Sequence, residues 1–140
     1  MNSKFEPVLK VKKQKLDMIE NKLAIARLEK RKLDNDLEKT KQDILNSEFP
    51  KKGTFATLQV AMSSYKILKE EKEQISEQIS LKSTQISHLE NQHKNAYMDM
   101  EKMKYLHDLE IKTKVEKLKK QESLALDEIA TQRHFFLKGK

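Results

Sequence analysis

The sequence predicts an all-α protein: two long helices folded into an antiparallel coiled-coil hairpin, the second helix longer and projecting beyond the first. Three observations predict it. Leu9, Leu16, Leu23, Leu37 and Ile44 fall on one seven-residue repeat, and Leu58, Tyr65, Ile79, Ile86 and Met100 fall on another. Between the two sets lies a single short break, Phe49 to Thr54, holding Pro50 and Gly53. The other breakers, Pro7 and Gly139, sit near the chain ends, so both helix interiors are free of Pro and Gly. A sustained apolar heptad on either side of one turn is the signature of paired helices.

The first helix is expected from about residue 4 to 47, roughly 65 Å at the usual rise. Pro7 falls in or near its first turn, where a missing amide proton costs little. The turn is expected at about 48–54. Thr54 offers a side-chain oxygen as N-cap for the second helix, which runs from about 55 to 136, roughly 120 Å. Gly139 can only follow its end. The whole chain, 1–140, reads as a single coiled-coil hairpin.

Folding the chain back at the turn pairs residues whose numbers add to about 103 or a little more. Ile44 then lies near Leu58, Leu23 near Ile79, and Leu9 near His93 or Ala96. The first helix is exhausted near residue 102, leaving some 35 to 40 residues of the second, about 55 Å, without a partner. That extension keeps an apolar track: Ile111, Val115, Leu118, Ala125, Ile129 and Phe136. An isolated amphipathic helix is marginal in water, so the track implies an outside partner, with self-association as the alternative.

Lys30, Lys72, Lys82 and His93 interrupt the seam. Either they are true seam positions that fix register, or the register drifts and the lysines face sideways; the second is expected for the lysines. A second apolar stripe runs beside the first: Val11, Met18 and Ile25, then Val60, Ile67 and Leu81. Around the turn it joins Leu45, Phe49 and Phe55. It reads either as docking faces or as a widened seam.

Composition narrows the function. Charged and hydrophobic residues each make up 36% of the chain, with no Cys and no Trp, which suits a long-helix protein better than a globular core. The missing cysteines exclude a disulfide scaffold and a thiolate metal site. No stretch approaches the roughly 20 apolar residues of a membrane span, and the N-terminus lacks a signal-peptide core. A soluble, cytoplasmic protein is expected, with any membrane contact peripheral. The net charge of +7 is uneven: five lysines against one acid between Lys4 and Lys15, and again between Lys112 and Lys120. From Phe55 to Lys102 six lysines meet seven acids, so the basic regions lie far from the turn.

Catalytic and cofactor chemistry finds no support. Two distant glycines cannot form a phosphate-binding loop. His88, His93, His107 and His134 never take the i, i+4 spacing of a helical metal pair. Met98, Met100 and Met103 fit an irregular seam without a special role. The chain reads as a non-enzyme without cofactor or metal. Its basic residues are mostly lysine interspersed with acids, without a block suited to reading bases, so specific nucleic-acid binding is not expected.

The ends of the chain carry a resemblance. The opening Phe5-Glu6-Pro7-Val8-Leu9-Lys10-Val11-Lys12-Lys13 resembles the start of the flagellar FliJ family, whose members begin with a Phe and a Leu four apart. Glu122, Leu126-Asp127-Glu128-Ile129-Ala130 and Arg133 resemble that family's C-terminal pattern. One departure is the start of the second helix, where many members carry Trp and this chain has only Phe55 and Tyr65 as aromatics. The resemblance implies a cytoplasmic component of the flagellar type III export apparatus, peripheral at the inner face of the membrane at the flagellar base. It implies three partners: the export ATPase (FliI-like), the export gate protein (FlhA-like) and substrate export chaperones. It also implies a stalk-like coiled coil entering the ATPase ring. On this basis Phe5, Leu9, Lys13, Ile111, Val115, Leu118, Asp127, Glu128, Ile129 and Arg133 are candidates for ATPase binding. Ile44, Phe49, Tyr65 and Leu68, near the turn, are candidates for gate binding. The alternatives are a freestanding coiled-coil adaptor or export chaperone, and a self-associating scaffold.

Overall fold

The computed structural model describes residues 2–138, and among them only two helices, α1 (Glu6–Leu45) and α2 (Phe55–Lys138), packed against each other as a helical hairpin without strands. Pro7 is the second residue of α1, where no intrahelical amide bond is lost. At the other end of α1 the Asn46 amide donates to the Gln42 carbonyl at 2.9 Å, and the Ser47 hydroxyl donates to the Asp43 carbonyl at 2.8 Å. Pro50 prevents continuation. Gly53 has a φ of 149°, a conformation that a side chain makes unfavourable. Thr54 then caps α2, its hydroxyl oxygen accepting the Thr57 amide at 3.3 Å. Gly139 lies outside the described residues.

The chain forms two compact units: residues 17–95, which contain the turn, and residues 1–16 with 96–140. In the turn-containing unit the core is one layer of the seam, Leu23, Ala26, Ile86 and Leu89, each at most 9% exposed. Full burial of a leucine stabilises by roughly 1.5–3 kcal/mol, so this layer and Ile19 beside it carry much of the pairing. In the other unit Leu9, Leu16, Ala96 and Met100 are buried.

The seam residues are those the heptads pick out, but their partners are different. Leu23 packs in one cluster with Ile86 and Leu89, not near Ile79. Glu29 pairs with Lys82, Glu20 with His93 at 3.1 Å, and Arg27 with Glu90 at 3.3 Å. Partner numbers add to roughly 112, about one heptad beyond the expected register. The physical reason is the connecting segment. Residues 46–54 do not turn over the helix ends at one level; they run back beside the first turns of α2, where the Phe49 ring lies tilted with its centre 5.5 Å from that of Tyr65. The opening turns of α2 therefore lie beside the connection and not beside α1. A one-heptad slide keeps both helices in the same heptad phase, so periodicity alone could not exclude it.

The polar interruptions are true seam positions. Lys30, Lys72, Lys82 and His93 are half-buried in the heptad phase of their apolar neighbours. Lys82 buries its stem and brings its ammonium out to Glu29 and Gln85, so the outward snorkelling expected of the lysines occurs from a position within the seam. Thr40, also in the seam, is 6% exposed and donates to the Asp36 carbonyl at 2.9 Å. The second stripe is no widened seam: Val11, Met18, Ile25, Val60, Ile67 and Leu81 are all exposed.

Two outcomes check this packing. Leu23→Ala should lower stability by about 2–3 kcal/mol in a chemical melt followed by circular dichroism. In a chain naturally free of cysteine, Arg27→Cys with Glu90→Cys should be joined by a short bismaleimide, while Arg27→Cys with Ser76→Cys should not.

Candidate functional site

In the unit holding the N-terminus, residues 2–5 strap onto α2. The Ser3 side chain is buried, and its oxygen lies 2.6 Å from Nδ1 of His107 while accepting the Phe5 amide at 3.1 Å. The Lys4 amide donates to Glu110 at 3.2 Å, and Lys114 Nζ donates to the Asn2 carbonyl at 2.8 Å. Lys4 also places its ammonium 5.2 Å from the Phe5 ring centre. None of these polar contacts has a signal in the heptads, and sequence reading did not find them.

The strap shortens the unpartnered part of α2. Burial does not stop near residue 102. Met103, Leu106, His107, Glu110, Ile111 and Val115 are half-buried, and continuous exposure begins at Glu116 and lasts to Leu137. Beyond His107 the half-buried apolar positions, Ile111 and Val115, follow at steps of four with Glu110 half-buried beside them, which rotates the apolar track relative to the preceding seam. Leu118 and Ile129 continue that rotated track and are about half exposed, at 47% and 58%.

The candidate ATPase-binding residues divide accordingly. Leu9 is 7% exposed and belongs to the core. Phe5, within the strap, and Ile111 and Val115, on α2, are half-buried. Lys13, Leu118, Asp127, Glu128, Ile129 and Arg133 are exposed. The lysines of the two basic segments, Lys12 excepted, are exposed as well, giving this unit a cationic surface around an uncovered apolar track.

In the turn-containing unit Ile44, Tyr65 and Leu68 are half-buried in the seam phase, and Phe49 is 46% exposed. Lys69 holds its ammonium 5.1 Å from the Tyr65 ring centre. Phe49 joins Phe55, Leu58 and Met62, all exposed, around a shallow apolar groove that ends on Lys66 and Lys69. Leu58 and Met62 were not among the residues selected near the turn, because the heptad assigned Leu58 to the seam and gave Met62 no place.

No group of three or more metal-ligating side chains and no helix long and apolar enough to cross a membrane occurs among the described residues. The one hydroxyl–imidazole pair described above, Ser3 with His107, is buried under the strap. The two exposed surfaces differ in character: one sets apolar residues in a basic field, the other sets aromatic residues beside lysines.

The strap predicts a local effect. Ser3→Ala should cost about 1 kcal/mol and speed hydrogen exchange at the Lys4 and Phe5 amides, with the Ile86 layer unchanged.

Against known proteins, the family model described as "Flagellar FliJ protein" matches residues 1–136. No curated protein and no solved structure shows a significant match to the chain.

Proposed function

The chain belongs to the flagellar FliJ family, and from that premise we propose that it binds the export ATPase ring as a stalk-like coiled coil, linking the ring to the export gate and to substrate chaperones. Family membership makes it a component of the flagellar type III export apparatus, in a family that is non-catalytic. The observation that carries the finer reading is the exposed, amphipathic end of α2. From Glu116 onward Leu118 and Ile129 have no covering helix, and Lys117, Lys119 and Lys120 stand beside them. Apolar surface of this kind is costly to leave in water and favours a partner.

The unit holding the N-terminus is the ATPase-binding part. Lys13, Leu118, Asp127, Glu128, Ile129 and Arg133 make the direct contacts, while Phe5, Ile111 and Val115 hold the strap and track in place behind them. Leu9 supports this surface from the core. Exposed lysines steer the approach of an acidic ring interior without fixing one rotational position, since screened surface charges act over a distance and lock weakly. The turn-containing unit contacts the gate protein, with Phe49 as the exposed anchor and Ile44, Tyr65 and Leu68 as its support.

Native mass spectrometry of the chain mixed with the export ATPase tests this reading. One copy per ATPase hexamer is expected. Leu118→Asp with Ile129→Asp should weaken the complex by about tenfold or more, as loss of central apolar anchors does. Saturation of every ATPase subunit would point to an adaptor, and a chain that only dimerises would remove the stalk reading.

A further inference from the structure

The turn carries a feature that the proposed stalk contact does not use. In a chain of which 36% is charged, residues 53–65 hold no charged side chain at all: Gly-Thr-Phe-Ala-Thr-Leu-Gln-Val-Ala-Met-Ser-Ser-Tyr. This uncharged stretch is not core. Phe55 is 79% exposed, Val60 66% and Met62 57%, and Leu45 nearby is 74% exposed. Lysines bracket it on both sides, Lys51 and Lys52 before and Lys66 and Lys69 after, with Glu48 the one acid between Leu45 and Lys69.

We propose that this tip docks directly on an anionic lipid bilayer surface, with Phe55, Leu58, Val60 and Met62 entering the headgroup and acyl boundary and the four lysines at the phosphate level. The distribution of apolar residues chooses lipid over a protein groove. A groove reads one stripe of a helix at i, i+3, i+4 and i+7. Here Phe55, Leu58 and Met62 follow such a stripe, but Ala56 and Val60 point elsewhere around the same turns, and Phe55, Leu58, Val60 and Met62 are all exposed. Acyl chains surround whatever enters them and need no stripe. Bracketing lysines are what an interfacial segment uses, because their stems lie in the apolar zone while the ammonium groups reach phosphate.

Charge along the same unit sets the depth. Immediately behind the tip the sign reverses. Residues 34–43 of α1 and 70–77 of α2, which the register places side by side, together carry eight acids against three lysines. A negative bilayer attracts the basic tip and repels this acidic collar, so contact is confined to the turn. The proposal does not rest on the ATPase contact, which uses residues of the other unit, nor on contact with the gate protein.

The chain has no tryptophan, so Phe55→Trp in the full-length protein places a single reporter at the tip. With vesicles of phosphatidylcholine containing about 30% phosphatidylglycerol its emission should shift to the blue, and with phosphatidylcholine alone it should not. On that background Lys51→Glu with Lys52→Glu should lower partitioning by at least tenfold, since each basic residue near the surface contributes about fivefold. Both lysines are exposed, and unchanged helical circular dichroism separates lost binding from lost folding. Lys117→Glu with Lys119→Glu and Lys120→Glu should leave the shift in place. No blue shift with anionic vesicles, an equal shift with neutral ones, or binding that survives the tip change and fails with the change at Lys117 to Lys120 would overturn the proposal.

Discussion

Everything in this molecule depends on a single apolar seam that two helices share, and on which heptad of one faces which heptad of the other. No side chain among those described is wholly enclosed, because two helices can cover each other on only one side. The layer of Leu23, Ala26, Ile86 and Leu89 therefore holds the pair together with little redundancy. Ala26 permits close approach, and the larger three fill the space around it. Exposed pairs such as Arg27 with Glu90 add little stability by themselves. Their use is directional, since a slide by one heptad would separate each of them.

The register determines what remains uncovered. Had the pairing followed the shortest turn, Ile111 and Val115 would stand in water as part of a long free helix. In the observed pairing the N-terminal strap reaches His107, Glu110 and Lys114, and free surface begins only at Glu116. The same slide lets the connection lie along α2 and leaves Phe55 to Met62 outside the seam.

Polar residues within the seam belong to the same economy. Lys30, Lys72, Lys82 and His93 weaken apolar packing where they occur, and only long stems or a hydrogen-bonding partner make them tolerable. Lys82 with Glu29, and His93 with Glu20, favour one alignment over its neighbours. That is the known use of polar seam residues: some stability is given up for a unique pairing.

The amino-acid sequence by itself determined the helices, the place of the turn and the residues of the seam. Heptad spacing, Pro50, Gly53 and the capping Thr54 are local signals that act within a few residues. It also carried the family, through its two ends. Register was beyond its reach, because a repeat of seven looks the same after a shift of seven. Nor could it show that Leu9 is spent in the core, that Ser3 is buried against His107, or that Val60 and Ile67 face water. Those outcomes depend on residues far apart in sequence, and on a connection whose path brings the Phe49 ring against Tyr65. Tertiary packing decided them, since only the folded pair of helices sets which of many equivalent apolar matches is made.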